Sequence, residues 1–174
     1  MDDEINSNYE LDFFHLPPNF SVDRFLEFLK KRKNQKIVVQ AFDLRWVVSK
    51  RQVKIAIYHV LKAFRDFKNI AKEKSTEFII RLSGEHQIKK AFQSFGLTSQ
   101  SEKIAILVFG SSKSENEKER EKILEYFFSE GVESSNFSLP LTSLEKLSTF
   151  YKSKKNLAEI EKKALEKMAI LEII

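Results

Sequence analysis

The chain has no cysteine, four glycines, three prolines and one tryptophan in 174 residues, and each shortage closes off a class of chemistry. Without cysteine there is no disulfide framework, no thiolate metal centre and no cysteine nucleophile, which fits a reducing cytosol. Four scattered glycines leave no GxxxxGK[ST] and no GxGxxG, so neither standard nucleotide cradle is present, and HExxH and GxSxG are missing as well. The three histidines, His15, His59 and His86, stand far apart with no carboxylate pair at a recognisable spacing, so no nucleophile with its base and no metal-ligand set emerges. No apolar run approaches the length of a membrane span, and no charged-then-apolar leader opens the sequence. The expectation is a soluble, cytoplasmic, non-enzymatic protein with no cofactor, no metal and no membrane partner.

What is plentiful is phenylalanine, sixteen residues within a 42% hydrophobic composition. A chain of this length buries about 70% of its unfolded surface in one core, so a single domain over residues 1–174 is expected. Charge is unevenly spread: residues 1–20 carry five acids and no Lys or Arg, residues 21–110 carry 19 bases against 8 acids, and residues 111–174 carry 11 against 12. A basic middle of this kind suits a polyanion or an acidic partner, while abundant Lys and Glu with sparse Gly also mark heat-adapted proteins.

Residues 9–16 alternate and end at Pro17-Pro18, 36–42 (KIVVQAF) are short and β-branched, and 103–109 are the most apolar run, so these are the strands. Ser21 caps a helix with Val22, Phe25, Leu26, Phe28 and Leu29 inward. Ser49 and Gln52 form a capping-box pattern for a helix from about residue 50, with Val53, Ile57, Val60, Phe64 and Phe67 inward. Ser114-Glu115-Asn116-Glu117 is read as another box, for a helix burying Ile123, Leu124, Phe127 and Phe128 and ending near Gly131. Residues 132–141 read as loop or short strand, a short helix follows Pro140, and Asn156 caps the last helix. The fold class is α/β (α+β), a small mixed sheet covered by about six helices.

The stretch Glu77 to Gly96 reads as a helix, a tight corner at Ser83-Gly84 and a second helix, with Ser83 as N-cap and Gly96 as a left-handed stop. Ile88, Ala91, Phe92 and Phe95 make the apolar face of that second helix. Arg81, His86, Gln87, Lys89 and Lys90 gather donors and charge at the corner, where free helix N–H groups favour anions. The same corner also fits a plain helix junction with Lys89 and Lys90 on the wet side. Lys50, Arg51 and Lys54 lie in the first turns of their helix, against its dipole, and Lys72 and Lys74 add charge to the connection after residue 69.

Leu82-Ser83-Gly84-x-x-Gln87-Ile88-x-x-Ala91 with Phe95-Gly96 resembles the signature of the KEOPS (EKC) complex accessory subunit of the TPRKB type. Phe42-Asp43-Leu44-Arg45 with Val48-Ser49, and Ala164-Leu165-x-x-Met168-Ala169-Ile170-Leu171, fit the same family in the same order, with Leu44 where that family tends to have Ala. The resemblance implies a subunit that binds the small atypical kinase/ATPase of KEOPS and helps to capture the single-stranded 3′ CCA end of tRNA for threonylcarbamoyladenosine formation. The competing reading is a pure protein adapter that regulates the kinase without touching RNA.

On the first reading, Lys50, Arg51, Lys54, Lys72, Lys74, Arg81, Ser83, Gly84, His86, Gln87, Lys89 and Lys90 contact RNA. Phosphates would fall to the bases, a stacked nucleobase to His86 and a base edge to Gln87. In the last helix, Leu157, Ile160, Ala164, Met168 and Leu171 complete an inward face. Leu165, Ala169, Ile170, Ile173 and Ile174 are left as a second apolar stripe for the kinase, the use that the resemblance also implies for this region.

Overall fold

The computed structural model describes residues 8–32, 36–139 and 143–173. In chain order the elements are β1 (Tyr9–His15), α1 (Val22–Lys30), β2 (Val38–Asp43), α2 (Lys50–Arg65), α3 (Lys74–Ser83), α4 (Ile88–Phe95), β3 (Lys103–Phe109), α5 (Lys113–Ser129), β4 (Glu133–Ser135), α6 (Ser143–Phe150) and α7 (Leu157–Ile170). With seven helices and one four-stranded sheet among the described residues, the fold class is α+β. The chain divides into two compact units, Met1–Asp43 with Leu97–Asn136 and Leu44–Gly96 with Phe137–Ile174.

The first unit holds the whole sheet, in the order β2-β3-β1-β4. Every pairing is antiparallel, with Tyr9 and Val38 both opposite Phe109 and Phe13 opposite Ser135. Strand–helix–strand runs suggest parallel neighbours, hence the expected mixed sheet. The reason for the difference is that each crossover leaves a gap of one strand. β1 and β2, joined through α1, run parallel to each other with β3 between them, and β3 and β4, joined through α5, enclose β1 in the same way. Two split β-α-β units therefore interleave.

Phe14, Phe25, Ala41, Ile104, Ile106, Val108, Ile123 and Phe127 form one buried cluster of this unit, with Phe127 4.5 Å from Phe14 and 4.7 Å from Phe25 between ring centres. Ala105, Leu107 and Phe109 alternate with Ile104, Ile106 and Val108 and are buried too, which is why β3 reads as an unbroken apolar run. Two side chains assigned inward by periodicity face out: Leu26 is 40% exposed and Phe128 88%. The capping box of α5 forms at Ser112 and Glu115, not at Ser114. Ser112 has the extended backbone of an N-cap and its Oγ accepts the Glu115 N–H, while the Glu115 carboxylate accepts the Ser112 N–H. The Ser111 Oγ above all, with the Ser112 Oγ and N–H also donating to that carboxylate, holds the Glu115 pKa down at about 2.

The second unit is built from α2, α3, α4, α6 and α7. Ser49 caps α2 by accepting the Gln52 N–H at 3.1 Å. The Gln52 side chain turns into the core instead of completing the box: its oxygen accepts the Val48 N–H and its amide donates to Leu82 O and Tyr151 Oη. The first turn of α2 is thereby fastened to the last turn of α3. At the other end, Lys74 Nζ lies 5.7 Å from the Phe64 ring centre, so the two helices run antiparallel. Val48, Leu147, Tyr151, Ile160 and Ala164 make a core cluster here, and Trp46 stacks on Phe150 at 4.2 Å. Of the expected inward face of α7, Ile160, Ala164, Met168 and Leu171 are buried, whereas Leu157, in the first turn, is 45% exposed.

Candidate functional site

Glu77 and Arg81 stand one turn apart on α3, at the i,i+4 spacing that lets opposite charges meet. Both are buried, and Arg81 Nε donates to Glu77 Oε1 at 2.7 Å. A buried pair is tolerated only when its remaining hydrogen-bonding capacity is used. Here that capacity orders two segments. The Glu77 Oε2 accepts the N–H groups of Ile70 and Ala71 at 2.9 and 2.7 Å, pinning the connection between α2 and α3. The Arg81 guanidinium donates to Lys68 O in that connection, and to Leu171 O and Glu172 Oε1 in the C-terminal turn.

Glu172, the one charged residue among the last seven, is therefore an anchor. Lys62 Nζ reaches its other oxygen at 3.2 Å, and His59 Nδ1 lies 3.7 Å away. Burial of that imidazole pushes its pKa below the ordinary value. Glu172 N–H donates to Ala169 O and Ile173 N–H to Ile170 O, so the helix tightens at its end into i to i+3 bonding. That geometry stacks side chains three apart on one another. Ile170 and Ile173 accordingly share one side, and they are 51% and 84% exposed. Ala169 is exposed and Leu165 half-buried; Ile174 lies outside the described residues. A cleft of about 510 Å³ opens beside this turn, lined among others by Lys68, Ile70, His86, Glu172 and Ile173.

The corner differs from expectation at three points. Ser83 is the last residue of α3, not the N-cap of α4: its Oγ donates to Ile80 O and accepts the Glu85 N–H. The N-cap position of α4 falls to Gln87, which makes no side-chain cap bond. Gly96 has φ −72° and ψ 158°, an extended exit and not a left-handed stop. The left-handed residue is Gly84 (φ 65°), and a Cβ there would come within 2.9 Å of the Lys167 backbone and side chain. Glycine is thus needed both for the turn and for the close approach of α7, which Lys167 reinforces with a 2.5 Å ion pair to Glu85.

Among the residues expected at an RNA surface, Arg81 and Ser83 are buried and occupied, which removes them from it. His86, Gln87, Lys89 and Lys90 are exposed at the start of α4, and so is Ile88, at 47%, one turn before its buried partner Ala91. Lys50, Arg51 and Lys54 are exposed on the first turns of α2, at the end that Gln52 ties to Leu82 beside the corner. Lys72 and Lys74 belong to the opposite end of α3, about 15 Å away at 1.5 Å per residue, with Lys74 over the Phe64 ring. The structure thus brings Lys50, Arg51 and Lys54 to the corner's end of the α2–α3 pair and leaves Lys72 and Lys74 at the other.

Phe67 was assigned to the core by its spacing and is instead 92% exposed. It follows the C-cap of α2 with φ 54°, and the Lys68 N–H closes on Ala63 O at 2.8 Å. This is the helix stop in which glycine is the usual residue, because a Cβ in the left-handed region costs about 1–2 kcal/mol. Glu77 and Glu172 were missed as organising residues because their role depends on partners far along the chain. The i,i+4 Glu-Arg spacing was the one local signal.

Among the described residues no group of His, Cys, Asp and Glu could hold a metal ion, and no helix is long and apolar enough to cross a membrane. No match is found among curated proteins. A family model described as kinase binding protein CGI-121 matches residues 23–173. That span includes the buried Glu77–Arg81 pair, the corner and the exposed C-terminal turn, and the chain belongs to the kinase binding protein CGI-121 family.

Proposed function

We propose that this chain is a non-catalytic accessory subunit of a KEOPS-type complex and that it holds the complex's small atypical kinase/ATPase through its C-terminal turn. The observation that carries this reading is the pair Ile170 and Ile173, exposed by 51% and 84% at the end of a helix whose opposite face is buried. Helix ends fray unless tied down, and Arg81 and Lys62 tie this one down through Glu172. Holding two isoleucines in water on an ordered turn brings no stability to the isolated chain. Against a partner, each would contribute about 1.5–3 kcal/mol on full burial. Leu165 and Ala169 extend the same surface, and Ile174 was placed there from sequence.

The finer part of the proposal is RNA. Capture of the single-stranded 3′ CCA end of tRNA, in support of threonylcarbamoyladenosine formation, falls to the corner. Exposed His86, Gln87, Lys89 and Lys90 stand at a helix start without a side-chain cap, with Gly84 at the turn and Lys50, Arg51 and Lys54 at the same end. Lys72 and Lys74 would serve a longer stretch of backbone. The adapter reading, kinase regulation without RNA, keeps the C-terminal surface and leaves the corner to solvent.

Ile173→Glu tests the kinase half. It removes an apolar contact and brings a carboxylate into an apolar interface, together at least about 3 kcal/mol. Affinity for the purified KEOPS kinase should fall about 100-fold or more, with the melting temperature of the isolated subunit almost unchanged. If the subunit itself unfolds, the turn belongs to its core and the interface is wrongly placed.

A further inference from the structure

We infer that Phe67 is a second anchor for the kinase, so that the partner grips the α2–α3 connection and the C-terminal turn together; this rests on the kinase reading of that turn. Phe67 breaks two local rules at once. It is a large aromatic almost wholly in water, and it occupies a left-handed position that glycine fills without strain. Nothing inside the protein is gained by either, and positions that violate local rules without internal compensation are where binding is expected. Aromatic side chains are also the commonest anchors of protein interfaces.

The connection is continuous with the proposed docking surface. Ile70, three residues on, is 41% exposed and lines the same cleft as Ile173. Both segments are set by one buried ion pair, since Glu77 holds Ile70 and Ala71 while Arg81 holds Lys68, Leu171 and Glu172. Phe67, Ile70, Ile170 and Ile173 are therefore presented on segments fixed against the same two side chains, which lowers the ordering cost of binding.

Charge states the chemistry of the occupant. Of the cleft's carboxylates, Glu172 is paired with Arg81 and Lys62, and Asp66 with Arg65. Of the cleft's three bases, Arg81 and Lys62 are paired with Glu172, while Lys68 faces Asp66, a carboxylate already bonded to Arg65. A kinase segment with an apolar side chain for the cleft and an acidic residue beside it fits this lining.

Phe67→Gly is the informative variant because strain and binding respond in opposite directions. The melting temperature of the subunit should stay level or rise by about 2–4 °C, and affinity for the purified KEOPS kinase should fall about tenfold or more. Phe67→Ala, which loses the ring and keeps the strain, should lose affinity to the same degree without that rise. Unchanged kinase affinity in both variants, with Ile173→Glu still abolishing binding, overturns the second anchor and leaves the C-terminal docking intact. A fall in melting temperature for Phe67→Gly overturns it too, since the ring then packs within the fold. Two other outcomes do the same: loss of tRNA affinity with kinase binding kept makes Phe67 a base-stacking residue, and conversion of a dimer to a monomer in light scattering makes the occupant a second copy of the chain.

Discussion

The corner and the C-terminal turn are both ordered surfaces of the helical unit, and they offer opposite chemistry. At the corner the exposed side chains are His86, Gln87, Lys89 and Lys90, long or polar groups beside helix N–H donors. At the turn they are Ala169, Ile170 and Ile173, short apolar groups over a carboxylate already neutralised. A polar corner gains from a charged, hydrated partner and can exchange contacts quickly. An apolar turn gains only when water is excluded, so it needs a shaped protein surface. One small unit can thus offer surfaces to two partners of different class, meeting at His86, which also lines the cleft, and Ile173 and the Lys89–Lys90 pair should fail separately when mutated.

The largest expected effect is on the pair that organises the turn and not the corner. Glu77→Ala leaves Arg81 with Glu172 as its one carboxylate and strands the N–H groups of Ile70 and Ala71, a loss of about 2–3 kcal/mol in urea unfolding. Kinase affinity should fall with it even in the population that stays folded. A loss below about 1 kcal/mol, the range of exposed pairs, would mean that the pair is not buried in solution. Smaller and confined to the other surface is the effect of Lys89→Ala with Lys90→Ala. If both neutralise phosphates of a single strand, the slope of log affinity against log salt for tRNA should drop by about 1.4, with kinase affinity unchanged. An unchanged slope removes the corner from RNA binding and favours the adapter.

Much of the fold was legible because its signals are local. Alternation and β-branching located β1, β2 and β3, and Ser21, Ser49 and Asn156 announced their helices by the bonds they now make. Strand order was not legible, since the interleaving of two split units depends on pairing across the whole chain. Periodicity erred where a helix ends or an apolar face is wider than its cover. Phe67 is one step past α2, where the 3.6-residue rhythm no longer applies, and Phe128 sits beside Phe127, which alone turns inward.

Site residues were read by type, and type does not reveal direction. Arg81 counted as one more cation of a basic stretch until Glu77 and Glu172 drew it inside. Glu172 counted as an interruption for the same reason. The exposed apolar stripe of α7 was readable because its inward face, Ile160, Ala164 and Met168, is complete without it.

Hydrogen exchange of the subunit with and without its kinase, followed peptide by peptide, asks most directly where the partner sits. The account predicts slowed exchange over residues 166–173 and 66–71, with residues 88–90 unchanged until tRNA is added. Protection over residues 88–90 by the kinase alone, with residues 166–173 exchanging as in the free subunit, would contradict it.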